Sequence, residues 1–522
     1  MKIEVLDTTL RDGAQGEGIE YSISDKKRIA LALEKLGIEL IEAGNPTGNP
    51  KDATFFEEAK KNPYLKTAKL IPFGATCRAF VKAEEDEGLK SLLSTGQEII
   101  SIFGKSDIMQ VKEVLRVPQE ENLRMIEDSV RYLTNKGKRV LYDAEHFFDG
   151  MREDSNYAIK SLKAAVNGGA STLVLCDTKG GTLPDQINKD VSFVKSVFPL
   201  VDVGIHCHND MELAVAGTIS AVQAGAKMVQ GTIGGVGERC GNTDLCSLMP
   251  TLQLKMNYDL ITKHQLSLLT EISKEINDIQ NIFQNRRAPY VGDAAFAHKG
   301  GMHIDGVRKN SSTFEHISPE AVGNRRRFLL SDQIGKSGVY IRLKRLIPDI
   351  QRDDERVKLV LERLKKRERK GYAYESADGS FDLMALDILG LRKTLFEVQD
   401  FHVLSGSKDE DSNSQAYIKI LVDGKIEINA AEGKGPVNAL DLAIRKALCV
   451  FYPSLLNMHL KDFKVRVVNN GGTASMVRVL IESTDSHKSW TTMGVNVNII
   501  QACFNALCDS VEYYLTFIDN NL

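Results

Sequence analysis

No two of the eight cysteines in this 522-residue chain stand as a Cys-x-x-Cys pair, and eight are sparse for the length. That argues against a disulfide framework and reads as the reduced thiols of a cytoplasmic protein. No apolar run approaches the roughly 20 residues that a membrane helix needs. The opening MKIEVLDTTL has neither a basic n-region nor an apolar h-region, and is expected to be a first strand rather than a targeting signal. Charge excess is also lacking: the formal net charge is −3, so neither a nucleic acid nor an anionic membrane is expected as partner. What is present is 42% hydrophobic and 26% charged residues, the mixture of a soluble globular protein, over a length that predicts two or three domains.

Eight β-prone runs recur in the first half: KIEVLD (2–7), IELIEAG (38–44), AKLIPFG (68–74), EIISIFG (98–104), KRVLYDA (138–144), STLVLCD (171–177), VDVGIHC (201–207) and KMVQGTI (227–233). Helical patterns separate them. Ser24 is a candidate N-cap for a stripe of Ile29, Ala32, Leu33 and Leu36 that Gly37 ends, and Leu123, Ile126, Val130 and Leu133 repeat the pattern before Gly137. Ala158, Leu162, Ala165 and Val166 repeat it again before Gly168 and Gly169. Such alternation implies a parallel sheet, and eight units over about 250 residues match a closed (β/α)8 TIM barrel. A doubly wound open sheet is the alternative. The position of the chemically capable residues favours closure. Arg11 and Asp12 follow run 1, Glu145 and His146 run 5, Thr178 run 6, and Asn242 run 8, while His206 and His208 end run 7. All stand at C-terminal strand ends, which in a barrel converge on one mouth.

His206-Cys207-His208-Asn209-Asp210 is the strongest local signal. Side chains two apart on a strand share a face. Both imidazoles can then face the barrel axis while Cys207 points into the helices. Asp12, arriving from the neighbouring side of a closed barrel, would add a carboxylate. A mixed nitrogen and oxygen set suits a divalent metal, Mn, Mg, Zn or Co, better than a soft one. The alternative is a satisfied histidine pair packed at a strand end.

DTTLRDGAQGEG (7–18), HCHND (206–210) and GTIGGVGERCGN (231–242) resemble the barrel metalloenzymes that include 2-isopropylmalate, homocitrate and citramalate synthases and hydroxymethylglutaryl-CoA lyase. GNPKD (48–52), FGKS (103–106), DAEHFFDG (143–150), LCDTKGGTLP (175–184) and AFAHKGGMH (295–303) are similar to the longer citramalate synthase subclass. The resemblance covers essentially the whole chain. It implies an acyltransferase that condenses acetyl-CoA with pyruvate, giving (R)-citramalate and free CoA on the route to isoleucine. It implies Asp12, His206 and His208 as metal ligands, with Asn242 matching a further one. Arg11 would stabilise the growing alkoxide, because a guanidinium stays cationic and donates in a fixed fork. Thr178 would donate to the pyruvate carboxylate. Glu145 and His303 both match positions implicated in catalysis, and the base is left open between them. Read alone, Glu145 is equally a salt-bridged rim carboxylate and His303 a surface histidine. Gly234, Gly235 and Gly237 sit in a loop whose amides could approach the CoA thioester or its phosphates, with a plain tight turn as the alternative.

The barrel is expected over 1–260, helical linker subdomains over 261–388, and a C-terminal α+β regulatory domain over 389–522. Residues 353–370 read as a solvated amphipathic helix with Val357, Val360, Leu361 and Leu364 as its stripe. Arg325, Arg326 and Arg327 read as an exposed run, with CoA phosphates as the other possibility. In the resembled enzymes this linker reaches a partner subunit's active site, and tyrosine is usual where this chain has Phe314. Residues 405–415 read as a polar loop. Residues 416–448 and 475–507 each give strands, a turn and an apolar helix, a diverged internal repeat. The resemblance makes this module the site of allosteric isoleucine inhibition in a homodimer; a purely dimer-forming role is the alternative. Phe147 and Phe148 are placed near the mouth, narrowing it to pyruvate's methyl. Rival readings are 2-isopropylmalate or homocitrate synthase acting on another 2-oxo acid, and a non-catalytic amino-acid sensor. A carboxyltransferase would want a carrier lysine between methionines, which the sequence lacks, and the lyase reading would want a cysteine earlier in the glycine loop than Cys240.

Overall fold

A computed structural model describes residues 2–329, 336–374, 377–405, 413–468, 475–485 and 488–519. The eight runs become β1 (Glu4–Asp7), β2 (Leu40–Gly44), β3 (Lys69–Ala75), β4 (Ile99–Lys105), β5 (Arg139–Glu145), β6 (Thr172–Asp177), β7 (Asp202–Cys207) and β8 (Met228–Gly231). They pair in parallel in chain order, and β1 closes on β8 with Glu4 opposite Met228 and Asp7 opposite Gly231. The barrel is closed, and the open sheet is excluded.

The strands are buried on both faces, which is why they read as nearly continuous apolar runs. Leu6, Leu40, Ile71, Ile99, Leu141, Val174 and Met228 fill the interior as one layer. Their neighbours Val5, Ile41, Ile100, Val140, Leu173 and Val229 pack outward beneath the helices. Two residues further along four of the strands, the inward positions turn polar: Glu42, Ser101, Asp143 and Gln230 are all buried. The barrel is thus a packed apolar plug with a polar layer set on its C-terminal side.

Local details differ from the sequence reading in three places. The first long helix, Ile23–Leu36, is capped by Ser22 and not Ser24, because Ser22 and Asp25 form a reciprocal capping box. Gly37 closes it with φ 92°, as expected. Helix Phe147–Gly168 begins well before the Ala158 stripe and breaks at Asp154 (φ −145°, ψ 90°), whose carboxylate caps Tyr157. His146, in the left-handed region at φ 59°, turns the chain into that helix so that Phe147 and Phe148 point into the core. Both are fully buried in edge-to-face contact. They do not narrow the mouth.

The chain divides into two compact units, residues 1–296 with 315–326, and residues 297–314 with 327–522. Within the second unit β9 (Ala297–His298) and β10 (Arg327–Phe328) pair in parallel, strands too short to give a periodic signal in sequence. Helix Glu355–Glu368 buries Val357, Val360 and Leu364, with Leu361 half-buried. The internal repeat is realised as two antiparallel sheets. One is β11 (Glu397–Leu404), β12 (Ser414–Val422) and β13 (Lys425–Gly433); the other is β14 (His459–Val467), β15 (Val477–Thr484) and β16 (Ser489–Asn496). Each is followed by a helix, Pro436–Leu448 and Ile499–Tyr513, and both helices share one core. The first strand of each sheet has its register shift at the same place, between Val398 and Asp400 and between Leu460 and Asp462. Residues 406–412 of the expected polar loop lie outside the described residues. Among the described residues no helix is long and apolar enough to cross a membrane.

Candidate metal centre and active site

After β1 the chain does not run straight into a helix. Thr8 N–H continues the barrel pairing to Gly231 O at 2.8 Å, and a short turn then delivers Arg11 and Asp12 to the mouth. β7 delivers His206 and His208 to the same place, two positions apart, with ring centroids 5.0 Å from each other. Oδ2 of Asp12 lies 3.5 Å from Nε2 of His206. Among the described residues, Asp12, His206 and His208 form the one cluster of three such side chains whose donor atoms lie within 4.8 Å of one another, and all three are buried. Cys207, between the histidines, points outward toward Gly217 of helix Ala214–Gln223, as the strand period requires.

The ionisation of the group suits a cation. Burial lowers the pKa of His206 to about 3 and lowers that of His208, so both imidazoles are neutral, with a lone pair to offer, at neutral pH. Burial pushes Asp12 up, but the charge of Arg11, the two histidines and a hydrogen bond from Asn242 outweigh it, so this carboxyl lies well below its usual range. Among the described residues two buried polar atoms here lack a hydrogen-bond partner: Nδ1 of His208 and Oδ1 of Asn242. Leaving each unsatisfied costs about 1–3 kcal/mol. A cation taking lone pairs at such a site removes that cost, and the nitrogen and oxygen donor set fits a divalent metal.

Arg11 is held from three sides. Its Nε donates to Oε2 of Glu42 at 2.5 Å, its NH1 to Oδ2 of Asp12 at 2.9 Å, and its guanidinium carbon lies 3.9 Å from the centroid of Phe73. Phe73 stacks in turn on Phe103, with centroids 5.2 Å apart. Beneath the ligands the polar layer is continuous. Ser101 Oγ donates to Asp143 at 3.5 Å, Gln230 Nε2 lies 3.3 and 3.4 Å from the two Asp143 oxygens, and Gln230 Oε1 lies 2.9 Å from His206 Nδ1. Burial, reinforced by the charge of Glu42, raises Asp143 to about 8.

Asn242 is brought to Asp12 by the glycine loop. Its Nδ2 donates to Oδ1 of Asp12 and to Val236 O, both at 3.1 Å. At Gly237 (φ 154°) a Cβ would lie 2.2 Å from Asn242 Nδ2, so only glycine lets the loop approach this closely. The amides of Gly234 and Gly235 are engaged within the loop, with Asp244 Oδ1 at 3.1 Å and Thr232 O at 3.3 Å. Thr178 Oγ1 accepts from His146 N–H at 2.8 Å, which leaves its hydroxyl proton to donate. Arg239 forks onto Asp210 and reaches Thr178 O at 2.8 Å, so it braces the loop rather than activating the exposed Cys240.

Glu145 is ion-paired to Lys105 at 2.5 Å across the in-register ends of β4 and β5. His303 belongs to the second unit, in helix Gly301–Lys309, where its ring stacks on Phe314 at 4.1 Å. In the triplet 325–327, Arg325 is exposed whereas Arg326 forks onto Glu315. Sequence reasoning missed Glu42, Asp143, Gln230 and Lys105. The available signal was a polar residue at an inward position inside an apolar parallel strand, as in LIEAG and MVQG.

The chain matches the HMGL-like family over residues 2–276, the homocitrate synthase post-HMGL domain-like family over 290–371, and the LeuA allosteric (dimerisation) domain over 375–515. It is similar along nearly its whole length to curated proteins described as (R)-citramalate synthase. That of Aquifex aeolicus is 46% identical over 517 residues, 98% of each chain. That of Geobacter sulfurreducens is 46% identical over 98% of this chain and 97% of its own, and that of Sulfolobus acidocaldarius 43% over 98% and 97%.

Proposed function

Since the chain belongs to the (R)-citramalate synthases of the HMGL-like family, we propose that its barrel mouth joins the methyl carbon of acetyl-CoA to the keto carbon of pyruvate, and that water then hydrolyses the resulting citramalyl thioester, releasing (R)-citramalate and CoA in the cytoplasm. The observation that supports this most directly is the convergence of Asp12, His206 and His208 on one point, with Asn242 Oδ1 left over beside them. These four residues would hold a divalent ion, Mn, Mg, Zn or Co, which when bound supplies Lewis-acid polarisation of the substrate ketone. Arg11, anchored by Glu42 and Asp12, presents a fixed cation where negative charge grows on the keto oxygen. Thr178 donates its hydroxyl to the pyruvate carboxylate, its acceptor side being taken by His146 N–H. Either Glu145 or His303 removes the acetyl methyl proton; at position 314 phenylalanine brings no hydroxyl to a relay. The stacked rings of Phe73 and Phe103 beside Arg11 wall the space for the keto-acid side chain. With the Gly234 and Gly235 amides engaged, Gly237 is the residue of the glycine loop that we assign to the thioester.

For the C-terminal module we propose allosteric isoleucine in a homodimer. A cavity of about 610 Å³ lies beside helix Pro436–Leu448, lined by Asn438, Asp441, Arg445 and His459 together with Leu442 and Leu456. Charged groups of both signs next to aliphatic walls suit a zwitterion with an apolar side chain.

One assay tests the condensation. The protein is mixed with acetyl-CoA, a divalent metal and a panel of 2-oxo acids, and thiol release is followed. Release with pyruvate far above 2-oxoisovalerate, glyoxylate and 2-oxoglutarate is expected. Preference for another acid would reassign the substrate, and no release with any acid would point to the amino-acid sensor.

A further inference from the structure

Gln230 is fully buried at the inward face of β8, between a candidate metal ligand and a buried carboxylate. Its two amide ends are not equivalent there. Nε2 lies 3.3 and 3.4 Å from the two Asp143 oxygens, so the NH2 end faces this carboxyl, whose carbonyl oxygen accepts even where burial keeps the group protonated. The carbonyl end therefore faces His206, at 2.9 Å from Nδ1. A carbonyl can only accept, so the proton of the neutral imidazole must sit on Nδ1. Nε2 is then the lone-pair nitrogen, and it is the atom turned toward Asp12. Asp143 thus takes the NH2 end of the amide, the carbonyl end sets the tautomer, and the tautomer sets which nitrogen is offered.

We propose that Gln230, oriented by Asp143, is a positioning residue of the metal centre that holds His206 as the Nδ1–H tautomer with Nε2 presented to the ion. This rests on the reading of Asp12, His206 and His208 as a metal site. Outer partners of this kind raise the basicity of a histidine ligand and fix its ring, and their loss typically weakens metal binding 10- to 100-fold. Ser101 and Glu42 extend the same layer to Arg11, so the orientation of His206 and that of the guanidinium are built on one polar floor.

The test titrates the full-length apoprotein with Co²⁺ alone, reading affinity by competition with a chromogenic chelator and geometry by visible absorption. His206→Ala reports on the underlying site: wild-type binding in that variant would overturn the site reading itself. With His206→Ala defective, Gln230→Leu is expected to bind Co²⁺ about 10- to 100-fold more weakly with an altered spectrum. Wild-type affinity and spectrum in Gln230→Leu would overturn the proposal. A matched pair of variants covers the case in which the leucine variant does not fold. Gln230→Met keeps the length of the side chain but removes the acceptor, whereas Gln230→Glu keeps an acceptor for His206 Nδ1–H and can also accept from the protonated Asp143. Affinity no weaker than about threefold below wild type is expected for Gln230→Glu, and a loss of about 10- to 100-fold for Gln230→Met. Equal affinity in the Met and Glu variants would overturn the proposal, because a merely space-filling Gln230 would not distinguish them.

Discussion

The side-chain amide of Asn242 donates to Oδ1 of Asp12 at 3.1 Å, joining residues 230 positions apart, while its own Oδ1 has no hydrogen-bond partner among the described residues. One side chain thus steadies the Asp12 carboxylate and offers a further oxygen. Asn242→Leu removes both effects and is expected to weaken divalent-metal binding at least about tenfold. Asn242→Asp keeps the oxygen but sets a second carboxylate against Asp12. Its metal-free form should melt below the wild-type apoprotein, and its gain in melting temperature on adding Mn²⁺ should exceed the wild-type gain. Identical metal-induced shifts in all three proteins would remove Asn242 from the ligand set.

Metal binding should resist acid. Two ordinary imidazoles with pKa about 6.5 would compete for protons, and affinity would drop about a hundredfold for each pH unit below that value. Here burial holds His206 at about 3 and lowers His208, while Arg11 keeps Asp12 ionised. The apparent Co²⁺ affinity is therefore expected to be much flatter between pH 7.5 and 5.5, measured against a chelator of known proton affinity. A full two-proton slope beginning at pH 6.5 would show that these histidines titrate normally.

Pyruvate selectivity should sit in the Phe73–Phe103 stack and not in the buried Phe147 and Phe148. Phe103→Ala opens the wall next to Arg11. It should shift kcat/KM toward 2-oxobutyrate and 2-oxoisovalerate relative to pyruvate by roughly 10- to 200-fold, the range of one or two methylenes in an apolar pocket. Unchanged ratios in a folded variant would place the wall elsewhere.

Asp7 ends β1 fully buried, with Thr9 N–H and Oγ1 donating to it at 2.9 Å each. Burial is the largest influence on it and raises its pKa from 3.8 to about 7. Between about pH 4 and pH 7 the native protein therefore holds a proton that the unfolded chain has lost, and this group's contribution to stability declines as pH rises through that window. Asp7→Asn cannot ionise. Its melting temperature minus that of wild type, both measured with chelator, should grow more positive from pH 4 to pH 8, by up to about 4 kcal/mol of stability. A difference independent of pH would contradict a neutral Asp7.

Much of this protein was legible in the residues themselves. Strand and helix periods differ, so eight alternations announce a parallel α/β unit, and the period of two puts His206 and His208 on one face whatever surrounds them. Gly37, and the twin sheets of the C-terminal repeat, were equally local facts. Closure was not local. Glu42, Ser101, Asp143 and Gln230 lie on β2, β4, β5 and β8, and each looks like an isolated polar residue in an apolar run. Only when β1 meets β8 do they become one hydrogen-bonded floor beneath Arg11 and His206. The direction of Phe147 and Phe148 was likewise decided by a left-handed His146, a backbone state their own sequence does not announce. Periodicity is a property of neighbours along the chain, and it determined the elements. The tautomer of a ligand, the partner of a buried carboxylate and the wall of a pocket depend on atoms that only the closed barrel brings within reach.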